Sequence, residues 1–390
     1  MTRRLYHEDA TLRRFDAEVV GHAEVGGKVA VVLDRTAFYP EAGGQLGDHG
    51  RLGDVAVIDT QELDDGRIAH VLAGEPPAIG ASVAGEIEWA RRRQHMAQHT
   101  AQHLLSGTLL DRARAATQSA RLGESALTID VARDRIPDAE IAAAEDLAND
   151  LVDDDLAVRA WFPDPGELAA LKLRRDPKVA ADIRVVAIGD YDYSPCGGTH
   201  CARTSQLGAI RVISTERYKG MTRVTFTAGR RARTEMFARD QVLRSLATQF
   251  SCGPAEVPLA IEKLRASSAT AAAEITALRG RLADAIVATL AGTGRVIAAV
   301  PGDVEVLRSV AAKLANAGRD AIVCAPDESG AAVVLFRAAG SSLDCGALWK
   351  QMAARAGGRG GGKGERAEGR LATPIAEWTS FVAELLPISA

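Results

Sequence analysis

The chain has 390 residues, of which 47% are hydrophobic, 25% charged and 4% aromatic, with a formal net charge of −4. This is the balance of a globular protein, so a disordered chain and a collagen-like fibre are excluded. The charge also excludes a uniformly basic nucleic-acid coat, although local basic patches remain open.

The first 15 residues carry arginines but no apolar run of signal-peptide length. No stretch approaches the roughly 18 apolar residues of a membrane span. Five cysteines, an odd and sparse set, point to reduced thiols rather than a disulfide framework. These features predict a cytoplasmic protein without a membrane partner. β-branched runs at 29–33, 55–58 and 68–72, split by Gly, Asp and Pro, predict a small barrel or sandwich over 1–88.

From 89 to about 111 the period changes to that of a helix, with Ala97, Ala101, Leu104 and Leu105 on one face. A second helix is predicted from 137–138 to 152, and strands at 156–162, 183–188, 210–214 and 223–227. Helix and strand do not alternate strictly, so 89–230 reads as α+β. Residues 231–290 read as a helical connector, Ala-rich and heptad-like from 256 to 288. A compact α/β domain is predicted over 291–390, with strands at 296–300, 321–325 and 331–336 and helices at 304–315 and 346–356. It carries one low-complexity segment, Gly357-Gly-Arg-Gly-Gly-Gly-Lys-Gly364, read as a basic loop. The fold class is therefore α+β: barrel, metal-binding core, helical connector and C-terminal α/β domain.

Two tight pairs of ligand-type residues stand in the core. His99 and His103, four apart on a helix, place both rings on one face. Cys196-Gly-Gly-Thr-His200 adds a thiol and an imidazole in a glycine-rich loop. Three His and one Cys suit tetrahedral Zn2+. His95, one turn before His99, and Cys201, next to His200, are alternative ligands; neighbours in an extended segment point apart, which disfavours Cys201.

Gln98-His-Thr-Ala-Gln-His-Leu-Leu105, Cys196-Gly-Gly-Thr-His200 and Phe38-Tyr-Pro-Glu-Ala-Gly-Gly-Gln-Leu-Gly-Asp48 together resemble the editing domain of alanyl-tRNA synthetases and its free-standing AlaX-type relatives. Ile188-Gly-Asp190 and Cys201-Ala-Arg-Thr-Ser-Gln-Leu-Gly208 resemble the family's flanking segments. Asp344-Cys-Gly-Ala-Leu348 and the glycine run resemble the DHH-associated domain that closes the synthetase. Ala42 stands where the family usually has Gly, and Arg121 where free-standing members often have His. The chain starts almost directly at the barrel, so the expected architecture is the long free-standing type, without ATP-dependent activation.

The resemblance implies hydrolysis of the ester of mischarged tRNA(Ala), carrying serine or glycine. An alanine pocket discriminates poorly against either, whereas a second pocket that hydrogen-bonds the serine hydroxyl spares alanine. Gln102, Gln118 and Ser119 are candidates for that polar lining. Glu41 and Asp48, in the glycine-rich barrel loop, are candidates for orienting water or the 3′ end. Zn2+ on three ligands with an open position would be catalytic; on all four it would look structural. For tRNA contact the candidates are Arg91, Arg92 and Arg93, and in the C-terminal domain Arg359, Lys363 and Arg366, where six basic and two acidic residues lie between 346 and 370. A homodimer through the connector or C-terminal domain is a further expectation. The alternative function is a non-catalytic tRNA-binding protein with a structural zinc. A phosphoesterase is disfavoured because the chain has no Asp-His-His motif.

Overall fold

Strict alternation builds the first layer. In Arg14–Val25 (β1) Phe15, Ala17 and Val19 point inward while Arg14, Asp16 and Glu18 face solvent. Five more strands, Lys28–Leu33, Gly50–Leu52, Val55–Glu62, Ile68–Leu72 and Ser82–Ile87 (β2–β6), join it in a closed antiparallel barrel of order β1-β2-β5-β4-β3-β6. Phe15, Val19, Val31, Leu33, Phe38, Leu52 and Leu72 fill its interior. Closure leaves no sheet edge exposed. The computed structural model describes residues 1–177 and 179–386.

Helix α1 (Trp89–Ala113) follows at once, and every residue from His95 to Leu109 is buried. A helix buried all round must be covered on several sides. Its covers are α2 (Asp138–Asp153) and a four-stranded antiparallel sheet of Thr117–Leu122, Leu127–Val131, Ile210–Tyr218 and Met221–Ala228 (β7, β8, β12 and β13), in the order β12-β13-β8-β7. Leu104, Leu105 and Leu109 share one core with Ile129, Ala144, Leu151 and Phe226. Between α2 and β12 lies a three-stranded antiparallel sheet, Val158–Trp161, Val185–Ile188 and Asp192–Pro195 (β9–β11), which delivers the Cys-x3-His loop.

The predicted connector is two helices, α3 (Gly229–Gln249) and α4 (Val257–Thr289). Ser251 has a left-handed φ of 52°, and Gly253-Pro254 follows, a sequence that cannot continue a helix. Packing divides the chain into Met1–Ser245 and Leu246–Ala390.

The second unit holds strands Val296–Ala299, Ala321–Asp327, Gly330–Phe336, Gly358–Gly362 and Arg366–Leu371 (β14–β18), in the order β14-β15-β16-β18-β17. Only β14 and β15 are parallel, joined through α5 (Val304–Asn316). The other pairings are antiparallel. The predicted α/β domain is thus one crossover unit on a mostly antiparallel sheet. Leu307, Val310 and Leu314 pack with Ala283 and Ile286 of α4 on one face. Trp349 and Met352 of α6 (Cys345–Ala356) cover the other.

The glycine run is not the loop that its composition predicts but strand β17, paired to β18. The physical reason is Trp349. A Cβ on Gly369 would lie 2.2 Å from its ring, and one on Gly360 2.6 Å, so only glycine lets this ribbon lie across the indole.

Among the described residues no helix is long and apolar enough to cross a membrane.

Candidate metal centre and cleft

His99 and His103 project from α1 one turn apart, with ring centroids separated by 5.1 Å. The loop after β11 brings Cys196 and His200 against them. The four donor atoms lie within 4.8 Å of one another, in a cluster that includes neither His95 nor Cys201. His99 Nε2 and His200 Nε2 each stand 3.4 Å from Cys196 Sγ. Tetrahedral zinc with Zn–N near 2.0–2.1 Å and Zn–S near 2.3 Å needs N···S separations of about 3.5 Å. The donor set and its spacing therefore fit zinc.

Backbone close approach makes this arrangement depend on one glycine. A Cβ on Gly198 would fall 2.2 Å from His99 Cε1. The Arg184 guanidinium, itself buried, donates to the carbonyls of Cys196 (3.1 Å) and Gly198 (2.8 Å) and holds the loop down.

Electrostatics favour the metal-binding protonation states. Burial, with help from Arg175 and Arg184, lowers His99 to about 3. Burial and the neighbouring His99 lower His200 to about 4. His103 falls well below its ordinary value, through burial and then the two other imidazoles. Burial alone would raise the Cys196 thiol, but the hydrogen bond and charge of His200, with the Gly198 N–H, turn the net shift downward. Neutral imidazoles are what a metal requires of its histidine ligands. Cys201, by contrast, is pushed up to about 12 by burial.

The cluster opens into a cleft of about 580 Å3. Gln102, Gln118 and Ser119 all line it, as does Thr117, which the sequence reading did not single out. Gln102 Nε2 and Thr117 Oγ1 both reach Ser106 Oγ at 2.8 Å. Ser119 Oγ donates to Asp130 at 2.8 Å. Glu41 is not among the lining residues. It is exposed, with Gln61 Nε2 at 3.4 Å, because the turn points Pro40 and Ala42 inward instead.

The three arginines before the metal helix separate. Arg93 is exposed. Arg91 bonds the Gly47 carbonyl and Glu124, both at 3.1 Å. Arg92 is fully buried and paired with Asp48, which corrects the reading of an outward-facing basic run and of Asp48 as a free carboxylate. In the second unit, Arg359 lies on β17 and Lys363 in the turn to β18; Arg366 pairs with Glu368 and stacks over Phe336 at 4.8 Å.

Three polar residues in contact with the ligands were missed. Gln45 bonds His99, Thr100 bonds His200, and Asp192 lies 3.9 Å from His103 Nδ1. Gln45 and Thr100 stand inside the sequence motifs, but only the fold shows what they face.

The sequence pattern described as threonyl and alanyl tRNA synthetase second additional domain matches residues 183–225. That of the class II (A) tRNA synthetases matches residues 6–91. The alanyl-tRNA editing protein AlaX-L of Pyrococcus horikoshii is 36% identical over 276 residues, 68% of this chain and 66% of that protein. The chain belongs to the AlaX-type alanyl-tRNA editing family. Alanine–tRNA ligases are also similar: that of Thermococcus kodakarensis is 35% identical over 401 residues, covering 96% of this chain, and that of Halobacterium salinarum 34% over 383 residues, covering 91%. The chain spans about two-fifths of these ligases, 42% and 41% respectively.

Proposed function

We propose that the protein is a zinc-dependent deacylase that hydrolyses the ester bond of mischarged tRNA(Ala), releasing serine or glycine in trans. The observation that carries this reading is the placement of the four-ligand cluster at the wall of a cleft lined by Gln102, Thr117, Gln118 and Ser119. His99, His103, Cys196 and His200 would hold the ion. Bound there, zinc supplies a fixed positive charge and Lewis acidity beside the cleft. The Gln102 and Gln118 amides and the Thr117 and Ser119 hydroxyls offer a serine hydroxyl hydrogen bonds that alanine cannot make. Water adds to the aminoacyl carbonyl, the ester C–O bond breaks, and the ribose oxygen leaves with a proton.

We read the second unit as a DHH-associated-type module that grips tRNA through Arg359, Lys363 and Arg366, with Arg93 and Arg91 contributing from the first. Residues 1–88, 89–230, 231–290 and 291–390 remain our functional division into barrel, editing core, connector and tRNA module. A tRNA substrate implies a cytoplasmic location. On α4 the exposed Leu264, Ile275, Leu278 and Leu282 form a seam at heptad-type spacing, which supports a homodimer through the connector. Sedimentation velocity tests it, and a monomer at every concentration overturns it.

A second reading has its own support. Four protein ligands make a closed set, the form of structural zinc sites. In that case the protein binds tRNA without hydrolysing it. Deacylation of Ser-, Gly- and Ala-tRNA(Ala) by wild type, His103→Ala and Cys196→Ala, with zinc content measured on the same samples, separates the two. The deacylase releases serine or glycine, spares alanine, and loses both activity and zinc in the variants. Tight binding without release by a zinc-loaded protein establishes the second reading.

A further inference from the structure

Each imidazole has two nitrogens, and a ligand histidine binds only if the nitrogen facing the metal is bare. Hydrogen-bond partners decide which one that is. Gln45 sits on a tight turn of the barrel, where Ala42 and Gln45 exchange backbone hydrogen bonds at 2.9 and 3.1 Å. Its side chain is fully buried. The Thr199 backbone N–H points at one end of the amide, 3.2 Å away. A backbone N–H only donates, so that end is the carbonyl oxygen, Oε1. The other end, Nε2, then donates to Thr199 Oγ1 at 2.8 Å. His99 Nδ1 lies 2.7 Å from the same Oε1. Facing an acceptor, Nδ1 must carry the proton, and His99 Nε2 is left bare towards Cys196.

The same logic holds at His200. The Thr100 hydroxyl spends its proton on the Met96 carbonyl at 2.8 Å and accepts from the Cys201 N–H at 3.1 Å. Towards His200 Nδ1, 3.1 Å away, it offers only a lone pair. His103 lacks such a partner: its Nδ1 is buried and unpaired, with the Asp192 carboxylate at 3.9 Å.

We propose that Gln45 is a positioning residue of the metal centre: an amide supplied by the barrel that fixes the Nδ1–H tautomer and the orientation of His99 while tying down the Cys-x3-His loop through Thr199. The barrel is thereby a working part of the metal site. Its glycine-rich turn performs a second task at the same point. A Cβ on Gly44 would lie 2.6 Å from the Ala120 carbonyl, and the Leu122 N–H donates to the Gly44 carbonyl at 2.9 Å, so the turn also carries strand β7 with Gln118 and Ser119. One four-residue turn sets both the ligand and the strand beside it.

The proposal rests on the reading that the cluster takes zinc, and its test is independent of deacylation. Zinc affinity of the full chain is measured by competition with a chromophoric chelator, without tRNA, for wild type, Gln45→Leu and Gln45→Glu. Removing an outer partner of a ligand histidine weakens metal binding about 10- to 100-fold, which is the expected loss for Gln45→Leu. Gln45→Glu retains the affinity, because a carboxylate accepts from the same two N–H groups. Equal affinity in Gln45→Leu and wild type overturns the proposal. So does a Gln45→Glu variant as weak as Gln45→Leu, since that marks a packing role. Nitrogen-15 NMR of the histidine rings in the metal-free wild type needs no variant to fold. A proton on Nε2 of His99 overturns the proposal, as does a wild type that takes up no zinc. Zinc affinities that follow the expected pattern in a protein that deacylates nothing sink the hydrolase alone.

Discussion

Arg92 and Asp48 form an ion pair in which neither side chain reaches solvent, at 0% and 1% exposure. Charges taken out of water are tolerated only with full hydrogen bonding. Here Arg92 also donates to the carbonyls of Ala10 and Ala37, and Asp48 accepts from the Tyr39 N–H at 2.6 Å. Arg92→Met strands the carboxylate and is expected to cost about 3–5 kcal/mol. Urea denaturation reads this as a lower midpoint, with partial recovery in the double variant carrying Asp48→Asn. His70 makes a second residue-scale prediction. It is fully buried between a donated bond to Val31 O (3.0 Å) and the Thr36 hydroxyl (2.8 Å), and burial lowers it to about 4, against an upward pull from the Val31 bond. The unfolded chain binds this proton near pH 6.5 and the folded one only near 4. Its stabilisation is therefore complete above the unfolded value, erodes as pH falls through that window, and is gone below it. The amplitude is about 3 kcal/mol. His70→Asn should flatten the fall in stability between pH 6.5 and 4 relative to wild type; identical slopes would exclude this role for His70.

At the level of elements, glycine separates strand from loop in a way that composition hides. A Cβ on Gly361 of β17 would meet nothing within 4 Å, whereas one on Gly369 of β18 would meet Trp349 at 2.2 Å. Gly369→Ala should lower the melting temperature of the second unit through overpacking of about 1–3 kcal/mol, while Gly361→Ala leaves it near wild type. Equal effects would mean that the indole does not dictate the ribbon. The same contrast explains what the sequence made legible. Helix α1 and the two ligand pairs follow from period and spacing, which are local. Strands β2, β5 and β15 follow from β-branched runs between turn residues. Strand β17 has no side chains to alternate, so its pairing with β18 leaves no pattern. Strand β1 is long but polar on alternate residues, with Gly21 and His22 interrupting the run. Arg92 and Arg93 are neighbours with opposite fates, because one faces the barrel and the other does not. Gln45 acts on a histidine 54 positions away, a relation no local rule contains.

On the scale of the whole molecule, every candidate ligand lies in the first unit, and each unit owns its core. Leu104, Leu105, Ile129 and Phe226 belong to one, and Ile322, Leu335, Trp349 and Met352 to another. A ligand that binds only the folded state stabilises the body that holds it by RT ln(1 + [L]/Kd), about 2.7 kcal/mol at a hundredfold excess over Kd. Zinc should therefore act on one unit and leave the second untouched. Calorimetry of the full chain, zinc-loaded and after chelation, is expected to show two transitions, only one of which falls on metal removal. Cys196→Ala should melt like the chelated wild type and no longer respond to chelator. Gly369→Ala should move the other transition alone, so the two perturbations add without coupling, as changes in separate cores do. A single transition that shifts as a whole with chelator would mean that the units unfold together and that metal binding at Cys196 stabilises the sheet around Trp349 as well.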